Sequence, residues 1–203
     1  MKNNIKSNYM IAAMILSTPA LSIAKDISYD HIRGSYVAVS IDTGTPEGDL
    51  DGSGFSVSGS VSVAPNVALT ASLASVSYDE FSGVNIDTTG LSFGVTAHTS
   101  IADGTDVFGG FSVLRGEIEF SDGFNSIGDD DIGNTIGIGV RHLANESVEI
   151  EIGISREDIF DESENKLSAG ARFYANEKVS LGIGYSSAVD TDALILSVRA
   201  DFR

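Results

Sequence analysis

The stretch ALILSVRADF, residues 193–202, carries Leu194, Leu196, Val198, Ala200 and Phe202 in strict alternation with Ile195, Ser197, Arg199 and Asp201. A two-residue period places one set of side chains on an apolar face and the other on the opposite face of a strand. Terminal residues are usually poorly ordered unless they are tied down. A period kept to Phe202 therefore predicts a strand paired along its whole length, and the rest of the sequence must supply its partner.

At the other end, MKNNIKSNYMIAAMILSTPALSIA (residues 1–24) has a basic head with Lys2 and Lys6, an apolar middle, and small residues at Ser22 and Ala24. That order of features predicts a secretory signal cleaved after Ala24, leaving one domain over 25–203. A retained anchor is the alternative, but Ser17, Thr18 and Pro19 interrupt the run, which falls short of the roughly 20 apolar residues of a helical span. The chain has 29 acidic and 12 basic residues and a formal net charge of −17. This argues against nucleic acid as a partner and against a basic patch that docks on anionic lipid. It has no cysteine, which excludes disulfides, thiolate nucleophiles and cysteine metal sites. An exported chain of this kind belongs in the periplasm, in the medium, or in an outer membrane crossed by strands.

Alternating segments at 32–42, 53–64, 67–79, 89–101, 106–121, 132–143, 147–159, 166–175, 178–187 and 192–202 read as ten strands. Most match the roughly 9–11 residues of a tilted membrane strand. The connections APN, ADGT, ANE and ANEK are tight, whereas TGTPEGDLDG (43–52), EFSGVNIDT (80–88), DGFNSIGDDD (122–131), DESENK (161–166) and AVDT (188–191) are generally longer and acidic. Short turns on one rim and longer loops on the other suit a membrane barrel with its short side periplasmic. The faces agree. Val179, Leu181, Ile183 and Tyr185 oppose Ser180, Gly182, Gly184 and Ser186, and Val148, Ile150, Ile152 and Ile154 oppose Glu149, Glu151, Gly153 and Ser155. A soluble sandwich would bury the apolar face, and a barrel would turn it to lipid; the Gly and Ser character of the other face favours a lumen. The expected fold is all-β: a closed antiparallel up-and-down transmembrane barrel of about ten strands, with eight as the alternative.

The terminal strand, Leu194, Leu196, Val198, Ala200 and Phe202, resembles the assembly signal of bacterial outer-membrane barrels, which the barrel-assembly machinery reads; here Arg203 follows the aromatic residue. The whole mature chain resembles the small OmpA- and OmpX-type, porin-like barrels. The resemblance implies export across the inner membrane to the outer membrane of a Gram-negative bacterium, among lipid and lipopolysaccharide. It also implies that the last strand closes the cylinder against the first, removing both edges.

Enzymatic barrels resemble the chain in fold, among them lipid A deacylases, palmitoyl transferases, phospholipases and omptin-type proteases; they hold a catalytic histidine near the outer surface. His31, His98 and His142 are all expected at the periplasmic rim, the wrong end, including His98 of the HTS stretch at 98–100. No catalytic residue and no cofactor are expected, and a lipid-modifying enzyme is the remotest reading. The acidic groups Asp49 and Asp51, and Asp129, Asp130 and Asp131, are weak candidates for divalent cations, since neither completes the EF-hand spacing. A solvated surface is the favoured reading for them. Inward-facing charge is expected at Arg115, Glu117, Glu119, Arg141, Glu149, Glu151, Arg172, Arg199 and Asp201, as an ion-pair network bracing the barrel or as the constriction of a pore. Two function classes follow. One is a structural or surface-interaction barrel with acidic external loops; the other is a small passive channel for ions or small solutes.

Overall fold

The computed structural model describes residues 29–46, 48–81 and 83–202. The segment 1–24 read as a signal lies outside them. Ten antiparallel strands run from β1 (His31–Ile41), β2 (Leu50–Ala64), β3 (Val67–Phe81), β4 (Val84–Ala102) and β5 (Thr105–Ser121) to β6 (Ser126–Asn145), β7 (Val148–Ile159), β8 (Glu162–Tyr174), β9 (Val179–Ser187) and β10 (Thr191–Asp201). Each pairs with its neighbour in sequence, and β1 pairs with β10 to close the barrel. Among the described residues no helix is long and apolar enough to cross a membrane.

The closing seam explains the period with which the sequence reading began. β10 is paired against β1 without a break from Thr191 opposite Ile41 to Asp201 opposite His31. Beyond it, the Phe202 amide donates to the Asp30 carbonyl at 3.0 Å, and the Asp201 amide to the Lys178 carbonyl at 2.8 Å. The backbone donors here are satisfied, as a strand in a low-dielectric setting requires.

Around the cylinder the outward positions form an apolar belt: Phe55, Val57 and Val61 on β2, Phe111 and Val113 on β5, Ile150, Ile152 and Ile154 on β7, Leu181 and Ile183 on β9, with Leu194, Leu196 and Val198 on β10, all exposed. Apolar surface on this scale is not left to water, and a belt that runs round a closed cylinder suits a bilayer. The inward positions at the same height are largely Ser and Gly, as in Ser56, Ser58 and Ser60 of β2.

Beyond the belt, at the end away from the termini, the two faces exchange character. Val37, Val39, Ile41, Leu50, Val76, Tyr78, Ile86 and Ile118 point inward and pack as one buried cluster, and Leu114 with Ile159 extends it. Outward positions there are mostly polar, as in Asp87, Arg115, Glu117 and Glu119, with Ile132 an apolar exception. The reversal overturns part of the loop expectation. The acidic segments at 80–88, 122–131 and 161–166 are mostly strand, joined across 82–83, 122–125 and 160–161; of the five expected loops only the one between β1 and β2 (42–49) is long. Charge and glycine read as loop in the sequence, but a strand that has left the membrane carries charge on its wet face. The β7–β8 hairpin shows how tight these ends are: Phe160 and Asp161 both take positive φ, 54° and 64°, the pair of conformations a two-residue turn needs. The Phe160 amide donates to Asp131 at 2.6 Å, which holds the turn.

Candidate functional site in the lumen

Below the apolar cluster, towards the termini, the lumen is charged. Arg141 on β6 is 1 % exposed; it donates from Nε and Nη2 to Glu151 at 3.2 and 2.8 Å, and its Nε lies 3.1 Å from Glu149 in a second ion pair. Both carboxylates come from β7, where residues two apart share a face. Glu149 also accepts from the Tyr174 hydroxyl of β8. Arg199 on β10 brackets the carboxylate of Asp201, two residues on, at 2.8 to 3.2 Å, and its Nη2 lies 3.4 Å from the Tyr174 oxygen. Tyr174 thus links the two ion pairs. Aromatic rings floor the network: the Arg141 guanidinium lies 5.6 Å from the Phe108 ring centre and that of Arg199 lies 5.9 Å from Tyr174. Phe108 fits because it faces Gly139 across β5–β6; a Cβ at Gly139 would stand 2.2 Å from the ring.

Six of the nine charges assigned to the lumen are therefore together: Arg141, Glu149, Glu151, Arg172, Arg199 and Asp201. The other three are not. Arg115, Glu117 and Glu119 face outward, all exposed, and Arg115 pairs with Asp130 in water at 3.1 Å. The register of β5 against β6 is unbroken from Thr105 to Ser121, so Phe111 and Val113, which face lipid, set Arg115, Glu117 and Glu119 on the same side. Assigning the apolar Leu114, Ile118 and Phe120 to the lipid face would require a shift of one residue that the strand does not make.

Several lumen charges escaped the sequence reading. Arg33 lies directly opposite Arg199 across the seam, and the outward Ile32 and Tyr36 were the parity signal for it. Glu157 and Lys166 form a buried pair at 3.2 Å, supported by the Thr135 hydroxyl at 3.0 Å. Asp106 accepts from Ser100 at 2.6 Å.

The three histidines lie at the end of the barrel that carries the termini, as expected, but differ in their surroundings. His142 stands exposed at the rim, 2.9 Å from the Thr105 hydroxyl. His31 is instead buried at the seam, 1 % exposed, between Ser60 on β2 and Asp201 on β10. Neither of its ring nitrogens has a hydrogen-bond partner among the described residues, and the burial leaves no route for a substrate. His98 stacks on Tyr29 at 3.5 Å and lies 4.0 Å from Asp106. Ser100 donates to that carboxylate rather than to the imidazole, the reverse of a hydrolytic triad. Tyr29 itself, which precedes β1, is 2 % exposed and reaches across the opening to Ala68 and Phe108. Burial pushes its phenol pKa up, so the group remains neutral.

The acidic candidates do not converge. Asp131 gives its oxygens to the amides of Ile132 and Phe160, Asp130 is held by Arg115, and Asp49, Asp51 and Asp129 are exposed. Among the described residues no three His, Cys, Asp or Glu side chains form a group able to hold a metal. Between the apolar cluster and the ion pairs lies a cavity of about 90 Å³ on the β6–β10 side, reached by Arg33, Arg172, Glu149, Glu151 and Ser197.

Comparison with solved structures gives the translocator domain of the autotransporter NalP from Neisseria meningitidis, 12% identical over 98% of this chain and 95% of that one, with a TM-score of 0.53. The Neisserial surface protein NspA is 9% identical over 86% and 98% (TM-score 0.49), and the attachment invasion locus protein Ail of Yersinia pestis is 13% identical over 85% and 97% (TM-score 0.47). At these identities the likeness extends to the barrel alone. No curated protein matches the chain. The family model described as the outer membrane protein beta-barrel domain matches residues 10–199, which agrees with the closed ten-strand cylinder, its lipid-facing belt and its polar lumen: the chain belongs to the outer-membrane β-barrel family.

Proposed function

We propose that this protein is a non-enzymatic barrel of the Gram-negative outer membrane, closed to solutes, that works through the surface it presents outside the cell. One observation carries the reading. The far end of the lumen is filled by apolar side chains from β1, β2, β3, β4 and β5, among them Val37, Ile41, Leu50, Val76, Ile86 and Ile118, each no more than 4 % exposed. A dry apolar constriction is a barrier to ions even where a gap remains, because an ion must shed water to enter it. At the other end Tyr29 and the Arg141 network lie across the opening.

In this reading the termini and tight turns face the periplasm and the far end faces the medium. Exposed Asp87, Glu117, Glu119, Asp129 and Asp130 make the external rim acidic. Such a rim repels anionic lipopolysaccharide unless divalent cations bridge the two, and it would meet cationic surfaces directly. The outward Leu194, Leu196, Val198 and Phe202 are available to lipid and, before insertion, to the assembly machinery. The alternative of a small channel draws on the Gly- and Ser-lined cavity. Planar-bilayer recording separates the two: purified, folded protein should give no conductance steps, and discrete ohmic steps from it would overturn the closed-barrel reading.

A further inference from the structure

The lumen network is not balanced pair by pair. Arg141 has Glu149 and Glu151, and Arg199 has Asp201. Arg33 and Arg172 have no carboxylate within ion-pair distance among the described residues. Arg33 donates from Nε to the Ser58 hydroxyl at 3.2 Å, and Arg172 from Nη1 to the Ser180 hydroxyl at 3.4 Å. A guanidinium has five N–H donors and keeps its charge at any physiological pH. Most of the donors on these two side chains are therefore unanswered by protein, and both side chains line the same cavity of about 90 Å³.

The wall places them together. Arg33 lies opposite Arg199 across β1–β10, and Arg199 lies opposite Ser180 across β10–β9. Ser180 in turn pairs with Tyr174, and Gly182 with Arg172, across β9–β8. Arg172 also lies opposite Glu149 across β8–β7, so the group holds four guanidiniums, Arg33, Arg141, Arg172 and Arg199, against three carboxylates, Glu149, Glu151 and Asp201. Gly182 makes room for this: a Cβ there would sit 2.6 Å from the Ser197 hydroxyl and 3.4 Å from the Arg172 guanidinium carbon. Glu151, the carboxylate left half-exposed to the cavity, is already held by Arg141 at 2.8 Å. Four guanidiniums against three carboxylates leave one positive charge unanswered, which is unfavourable at a site partly withdrawn from water.

We infer that the cavity holds a small inorganic anion of chloride size between Arg33 and Arg172, with the remaining space taken by water. The volume admits a halide together with several waters. Apart from Glu149 and Glu151, both paired with Arg141, the lining is largely Ser, Gly and apolar residues, which add hydroxyl donors and no further negative charge. The site depends on the cavity and its two arginines, and a conducting or a closed lumen would hold it equally.

Crystals of the folded wild-type protein grown with bromide as the sole halide test this directly. An anomalous peak in the cavity within about 3.5 Å of both guanidinium groups is expected, and well-ordered density there without anomalous signal would overturn the inference. A second measurement uses thermal unfolding in detergent at constant ionic strength. The wild type should unfold several degrees higher in sodium chloride than in sodium gluconate, whose bulky organic anion replaces the halide. That difference should vanish in Arg172→Gln and in Arg33→Gln, and persist in Arg115→Gln on the outer face. An equal chloride effect in all four proteins would mean general screening and would also overturn it.

Discussion

Two ion pairs of the same length sit on opposite sides of the barrel wall. Arg115 meets Asp130 at 3.1 Å with more than half of each side chain in water, 59% and 56%; Arg141 meets Glu149 at 3.1 Å with 1% and 2% exposed. Distance alone would rank them equal. The surroundings do not: water screens the first and has been replaced by protein around the second. The regions that contain these pairs differ in the same way. Near the termini the wall is apolar outside and charged inside, while at the far end it is charged outside and apolar inside. One continuous strand, β5, passes through both regimes without changing register. What reverses is the solvent around it.

The largest effect that could break this comparison is on Arg141. Arg141→Ala would leave the buried Glu149 and the partly exposed Glu151 without their cation, and loss of a buried partner typically costs about 3–5 kcal/mol, reduced where lumen water can reach the carboxylates. Denaturant unfolding in detergent should show this loss, and a change below about 1 kcal/mol would place Arg141 in the class of Arg115. Next comes the apolar plug. Ile86→Ala should destabilise by about 2–4 kcal/mol, as removal of buried methyl groups does in a soluble core; an unaltered midpoint would mean that this end is wet. The lipid belt gives the converse test. Ile152→Arg should cost about 2–4 kcal/mol near the membrane midplane, measured by reversible folding into vesicles, whereas the outward Arg156 lies beyond the belt and tolerates alanine.

Smallest is the effect at the exposed loop. Asp122 accepts the amides of Asn125 at 2.7 Å and Phe124 at 2.9 Å. These hydrogen bonds, Asn125 first, hold its carboxyl below the usual range. Because the folded pKa is lowered, the contribution is present above the unfolded value of about 3.9 and is lost as pH falls through the folded one. Protection of these two amides from hydrogen exchange should therefore be constant from neutral to mildly acid pH and fall only below that, and Asp122→Ala should remove it at every pH.

Much of the architecture was legible before any coordinates. The alternation from Leu194 to Phe202, repeated in ten segments, set one apolar face on every strand, and the Gly and Ser of the opposite face with the uneven loop lengths turned that face to lipid rather than to a soluble core. The tight turns at Pro65–Asn66 and Asp103–Gly104 were equally plain. The charged site was legible in part: Arg141, Glu149, Glu151, Arg172, Arg199 and Asp201 share one parity with the Gly and Ser of the lumen, and parity is a local property. Arg115, Glu117 and Glu119 were misread because parity was inferred from which residues are apolar, and that rule inverts once a strand rises out of the membrane.

By itself, then, the sequence determined ten alternating strands and their apolar faces, because these follow from residues two apart along one chain, while the closed cylinder and its seam came from the family resemblance that the terminal strand carries. Only the tertiary structure decided the plug of Val37, Val76, Ile86 and Ile118, the linkage of two ion pairs through Tyr174, and the association of Arg33 with Arg172. Those contacts join side chains from different strands across the lumen, at heights set by strand tilt and by where the bilayer ends. Neither quantity is written in the period of a single strand.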